Sequence, residues 1–242
     1  MGGAAGFGRL MGATVFDAVL LDVGGVLMYP DPAVLAPALS FYGATTDHAA
    51  YFRAHFAAMA VKSADGAPES DWSGFDREFV SRVGVGTADT DEAAHVLGRT
   101  RHAHIWRAAV PGSRDALVRL NMLGVPVGIV SNASGQVESV LRRAGICQVG
   151  DGPHPSVLCV VDSHLVGVAK PDPAIFEFAL PHLDRIERSR IAYVGDSVTM
   201  DVGGATAAGL VPVLFDPFDD AAHLFEGMRI GSLAEIVALF GD

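Results

Sequence analysis

The chain has 242 residues, half of them hydrophobic and 19% charged, which is enough apolar material for a large core and excludes global disorder. Its formal net charge of −11 argues against nucleic acid as a partner, because affinity for a phosphate backbone rests on Lys and Arg. No apolar run approaches the roughly 20 residues that cross a bilayer, so no membrane partner is expected, and Cys147 and Cys159 lack redox or metal spacing.

Residues 1–13 are rich in Gly and Ala with no sustained apolar core, and read as a flexible tail rather than a signal peptide; a cytoplasmic location is the expectation. The first strand is predicted over 17–22, where Ala18-Val19-Leu20-Leu21 ends in Asp22. Residues 33–104 then carry helical periodicity and no convincing buried strand: Leu35, Leu39 and Tyr42, then Phe52, Phe56 and Met59, then Phe75, Phe79 and Val83, then Ala94 and Leu97. They read as a helical insertion hinged near 28–31 and 101–111. Further strands are predicted over 125–130, 157–161, 191–195 and 211–215, and helices over 112–123, 134–144, 173–183 and 199–208. Strands alternating with helices imply crossover units and a parallel sheet covered on both faces. The expected fold is α/β, a three-layer Rossmann-like core from 14–32 and 105–242 with a small all-helical cap over 33–104.

Two further carboxylates, Asp196 and Asp201, follow the strand over 191–195 in the run Tyr193-Val194-Gly195-Asp196-Ser197-Val198-Thr199-Met200-Asp201. Ligands of open parallel sheets bind at the carboxyl ends of the strands. Three carboxylates at such an edge repel one another unless a hard cation sits between them, and Mg²⁺ is the usual cation beside phosphate.

Four motifs run in order: Leu20-Leu21-Asp22-Val23-Gly24-Gly25-Val26, Gly128-Ile129-Val130-Ser131-Asn132, Gly167-Val168-Ala169-Lys170-Pro171-Asp172-Pro173, and Val194-Gly195-Asp196-Ser197 through Asp201. Together they resemble the haloacid dehalogenase superfamily, dominated by phosphatases with an aspartate nucleophile. The resemblance implies that Asp22 attacks phosphorus and forms an aspartyl-phosphate. It implies Mg²⁺ held by Asp22, Asp196 and the backbone carbonyl of Gly24. Ser131 would donate to a phosphoryl oxygen, with Gly25 and Asn132 beside it. Lys170, one of only two lysines, would neutralise Asp22 and the phosphoryl group. Asp201 would hold a metal-bound water or orient Lys170, with Ser197 supporting. The implied partner is a small phosphorylated metabolite.

One departure matters. Phosphatases of this family usually carry Asp-x-Asp in the first motif, and here the second position is Gly24. The missing carboxylate is the acid–base group, which is worth about 10²–10⁴ in rate. A substrate with a good leaving group needs it less. Alternatively, the cap supplies a replacement: His48, His55 and Lys62 recur every seven residues on one helix face, and His55 can carry a proton near neutral pH. That stripe also suits a plain solvated face. Other readings are a non-catalytic or very slow binder of a phosphorylated ligand, and a C–P bond hydrolase using Lys62. The acidic fourth motif argues against a dehalogenase. His102 and His104, with His95 nearby, lack a convincing third zinc ligand.

Overall fold

The computed structural model describes residues 16–100 and 105–240. The expected tail over 1–13, His102 and His104, and part of the second hinge lie outside the described residues. The first strand, β1 (Ala18–Leu21), is buried along its whole length. After it come β2 (Met28–Pro30), four helices, α1 (Pro32–Leu39), α2 (His48–Ala64), α3 (Ser73–Arg82) and α4 (Thr90–Thr100), and β3 (Trp106–Ala109). β2 and β3 pair antiparallel, Met28 opposite Ala109, and carry the chain out of the sheet and back. The sequence reading missed this hairpin, because its strands are three and four residues long and alternate weakly.

The remaining elements are α5 (Ser113–Met122), β4 (Val127–Ser131), α6 (Val137–Arg143), β5 (Gln148–Val149), β6 (Ser156–Val157), β7 (Val160–Asp162), α7 (Ser163–Val166), β8 (Ile191–Gly195), α8 (Gly203–Ala207), β9 (Val211–Phe215), β10 (Met228–Ile230) and α9 (Leu233–Ala238). The main sheet has six parallel strands in the order β10-β9-β8-β1-β4-β7. Strands covered on both faces read as unbroken apolar runs, which is why β1, β4 and β8 were legible in the sequence. Leu117, Leu120, Ile236 and Val237 of α5 and α9 belong to the cluster on one face; Phe176, Ala179, Ala205 and Ala208 belong to the cluster on the other.

Two predicted helices came out differently. The stretch 173–183 forms two tight three-residue-per-turn helices, Pro173–Phe178 and Leu180–Leu183, because Pro181 lacks the N–H a longer helix needs. The stretch 199–208 opens with a widened turn, Val198–Val202, in which the Val202 N–H reaches back to the Ser197 carbonyl at 3.1 Å, before α8 begins. The predicted strand over 157–161 is split between β6 and β7. The strand β10 and helix α9 were not anticipated.

Leu35, Leu39, Tyr51, Phe75, Phe79 and Leu97 form a separate apolar core among α1–α4. Phe56 of α2 does not join it. Phe56 turns toward the sheet and packs edge-on against Phe215 of β9, with ring centroids 5.5 Å apart. The free Cys147 is buried and Cys159 partly so. No described helix is long and apolar enough to cross a membrane.

Candidate active site

β1 lies between β4 and β8, and the connections leave it in opposite directions, so the strand order reverses there. A crevice opens at the carboxyl ends of strands at such a point. Asp22 follows β1, Ser131 ends β4, and Asp196 follows β8; all three are buried. The main chain holds Asp22 in register, its N–H donating to the Val194 carbonyl at 2.9 Å.

Lys170 is the hinge of the electrostatics. Its Nζ pairs with Asp22 Oδ1 at 3.0 Å and donates to Asp201 Oδ1 at 2.6 Å and to the Tyr193 hydroxyl at 2.7 Å. The other Asp201 oxygen accepts the Ser197 N–H at 2.9 Å. Both Asp201 oxygens are therefore engaged, one by Lys170 and one by the main chain. Burial by itself would lower the Lys170 pKa, but the Asp201 and Asp22 carboxylates outweigh it and hold the ammonium above its usual range. The Asp22 carboxyl stands at about 7: burial raises it most, Lys170 opposes that, and Asp201 and Asp196 add to the rise. A hydrogen bond from Ser131 also favours the Asp22 carboxylate.

Ligand oxygens of Asp22, Asp196 and Asp201 all lie within 4.8 Å of one another. Asp22 Oδ1 is buried and accepts no aligned hydrogen bond. A close set of three buried carboxylates, with a single ammonium against them, fits a small hard cation such as Mg²⁺.

The other predicted residues have definite places. Asn132 grips the Lys170 backbone at both ends of its amide, accepting from the Lys170 N–H at 2.8 Å and donating to the Lys170 carbonyl at 3.1 Å. Ser197 Oγ caps the widened turn, accepting the Met200 N–H at 3.2 Å. Gly25 has φ of +69°, and a side chain there would run into the Asp196 carboxylate and the His55 ring. His55 is fully buried and its Nε2 sits 2.7 Å from Asp196 Oδ2, so it braces that carboxylate instead of facing the cavity. Burial raises the Asp196 pKa and the hydrogen bond to His55 lowers it. The stripe His48, His55, Lys62 is not a solvated face: only His48 is exposed, while His55 and Lys62 are buried. Lys62 donates to the carbonyl of Pro68 at 2.6 Å and to that of Asp71, and lies 4.6 Å from the Trp72 ring centroid.

A cavity of about 710 Å³ opens above these groups. Asp22, Gly24, Ser131 and Asp196 at the sheet's carboxyl edge and Lys170 from the loop after α7 line it, and the helical segment supplies Met59, Glu69 and Trp72. Trp106 of β3 also lines it and covers Gly24: a Cβ on Gly24 would stand 3.3 Å from the indole ring. Tyr193, Trp106 and Glu69 are among the contributors that escaped the sequence reading. Tyr193 had one visible signal, a lone hydroxyl in an otherwise apolar strand. Trp106 and Glu69 had none, since distant segments bring them in.

A family model for haloacid dehalogenase-like hydrolases matches residues 16–209. Among curated proteins, the chain is 32% identical over 113 residues to ribulose-1,5-bisphosphate 5-phosphatase of Halopiger xanaduensis, covering 46% of this chain and 44% of that protein. It is 36% identical over 85 residues to pyrimidine 5'-nucleotidase YjjG of Escherichia coli, covering 35% of each. The matched segments thus span less than half the length of these curated relatives. The fold resembles the crystal structure of a HAD phosphatase from Thermococcus onnurineus, with a TM-score of 0.58 at 22% identity, covering 93% of this chain and 98% of that one. On the family match over 16–209, the six-stranded parallel sheet and the four motifs gathered at its edge, the chain belongs to the haloacid dehalogenase-like hydrolases.

Proposed function

We propose that the protein is a Mg²⁺-dependent phosphomonoester hydrolase that works through an aspartyl-phosphate on Asp22, with a small phosphorylated metabolite of the cytoplasm as substrate and residues 33–104 as its cap. The observation that carries this reading is the buried clasp of Lys170 between Asp22 and Asp201, at 3.0 and 2.6 Å, with Asp196 beside it. Asp22 is the nucleophile, attacking phosphorus in line. Lys170 keeps its proton against burial and offsets the charge of Asp22 and of the phosphoryl oxygens. Ser131, at the end of β4, donates to a phosphoryl oxygen, and Asn132 fixes the Lys170 backbone so that the ammonium cannot drift. His55 holds the Asp196 carboxylate in one orientation. Mg²⁺, held by Asp22, Asp196 and the Gly24 carbonyl, would supply positive charge against the phosphoryl oxygens. The relatives named as phosphatases and as a nucleotidase favour a phosphate ester as substrate. The C–P bond reading through Lys62 is disfavoured, because that ammonium is committed to two backbone carbonyls.

Phosphate release from a panel of phosphomonoesters tests the reading. Turnover should require Mg²⁺, stop in excess chelator and resume when Mg²⁺ is returned. Full activity in chelator would overturn the metal assignment. Asp22→Asn should fall to background while the fold persists, and wild-type turnover in that variant would rule out covalent catalysis at Asp22.

A further inference from the structure

Gly24 removes the acid–base carboxylate from the first motif, and the Trp106 ring 3.3 Å from its Cβ position fills the space above it. A carboxylate from the helical segment lines the same cavity. Glu69 sits on the turn between α2 and α3, half-buried, and lines the cavity with Asp22, Ser131, Asn132 and Lys170. The Asn132 amide, which grips the Lys170 backbone, favours the charged form of the Glu69 carboxyl.

The turn that carries Glu69 is anchored on both sides. Lys62 donates to the carbonyls of Pro68 and Asp71, which bracket Glu69, and the Asp71 N–H closes the turn on the Pro68 carbonyl at 3.0 Å. Next to Lys62, the Ser63 hydroxyl accepts the Val198 N–H at 3.2 Å, tying the end of α2 to the turn that bears Asp201. His55 and Ser63 thus tie the helical segment to the sheet side, at Asp196 and Val198, and Lys62 fixes the turn of Glu69 within the helical segment.

We propose that Glu69 is the acid–base group of this site, a role that rests on the phosphatase reading above. In the first step an Asp22 oxygen bonds to phosphorus, the phosphorus–alkoxide bond breaks, and the Glu69 carboxyl gives its proton to the departing oxygen, releasing the alcohol. In the second, the Glu69 carboxylate takes a proton from a water whose oxygen bonds to phosphorus, and the bond from phosphorus to Asp22 breaks. The sum is ester plus water to alcohol plus phosphate, with Asp22 and Glu69 restored. Burial raises the Glu69 pKa, while the Asn132 amide, Lys170 and Lys62 draw it back. That balance suits a carboxyl that must both give and take a proton.

The test is Glu69→Gln in the full chain with Mg²⁺, assayed on a series from nitrophenyl phosphates to alkyl phosphates. On alkyl phosphates kcat/KM should fall about 10²-fold or more, because a poor leaving group needs the proton most. On nitrophenyl phosphate the first turnover should survive as a burst, with phosphorylated Asp22 accumulating in the intact-protein mass spectrum. Lys62→Met, which frees the turn, should show a weaker form of the same leaving-group dependence. A folded Glu69→Gln protein that tracks the wild type across the series overturns the proposal and leaves the phosphatase reading standing. A rise in KM with unchanged kcat would make Glu69 a substrate-binding group and also overturn it. A wild-type protein that releases phosphate from no member of the series overturns both.

Discussion

At the scale of single residues, this site concentrates charge where water is scarce. Lys170 is buried between two carboxylates and a tyrosine hydroxyl. Breaking such a pair leaves an uncompensated buried charge, which costs about 3–5 kcal/mol. Lys170→Ala should therefore lose turnover and also lower the urea midpoint markedly. Tyr193→Phe removes one acceptor from the ammonium and one donor to the Val130 carbonyl at 2.9 Å. It should cost about 1–3 kcal/mol in denaturant unfolding and slow turnover without changing metal dependence. Asp22 sets a pH dependence in the metal-free protein. Its folded pKa of about 7 stands well above the 3.8 of a free aspartate. A raised pKa means that the folded state favours the protonated carboxyl. The stability this group contributes is complete below about pH 4 and is lost as pH rises through about 7. In chelator, Asp22→Asn should therefore gain stability relative to the wild type as pH rises across that window. A constant difference across the window would show that Asp22 is not held protonated.

At the scale of elements, α2 does two jobs on two different faces. Tyr51, Ala54 and Ala58 bury into the helical core, while Phe56 crosses to the sheet core and packs on Phe215 and Phe218. Removing a buried ring of that size costs about 3–5 kcal/mol. Phe56→Ala should lower the thermal midpoint and also loosen the fit of α2 on the sheet, raising KM more than Phe79→Ala, whose ring lies wholly in the helical core. The hairpin of β2 and β3 has a separate effect. It carries Trp106 over Gly24, so Gly24→Asp meets an indole ring rather than a hostile backbone. The single variant should lose about 1–3 kcal/mol by overpacking and gain little activity. Combining it with Trp106→Leu should recover stability and raise turnover of alkyl phosphates, as a leaving-group series would read.

At the scale of the whole molecule, the buried carboxylates at the sheet edge are a destabilising load that a bound cation relieves. A ligand present at 100 times its dissociation constant stabilises the folded state by about 2.7 kcal/mol. For a chain of 242 residues that is about 5–10 °C in the thermal midpoint. Mg²⁺ should produce a shift of that size in differential scanning fluorimetry, and Asp196→Asn should abolish it. An equal shift in the variant would place the cation elsewhere.

The apolar runs of β1, β4 and β8 determined the sheet, because strands covered on both faces leave a local trace that turns and helices then punctuate. The carboxylates at their ends were legible for the same reason, as were Ser131 and the motif around Lys170. The hairpin, β10 and the break at Pro181 were not, since three-residue edge strands and short helices leave little pattern. Apart from the pairing of Lys170 with Asp22 and Asp201, which the family resemblance implied, side-chain partnerships were beyond reach. His55, Lys62 and Asn132 were each visible as polar residues near the right place. Which atom each one faces was decided by contacts across 141, 6 to 9 and 38 residues of chain. The same holds for Trp106 over Gly24 and for Glu69 in the cavity. The sequence thus determined where the carboxylates of the sheet stand. Only the packing of the helical segment onto that sheet decided what surrounds them, because close packing at that junction depends on residues far apart in the chain.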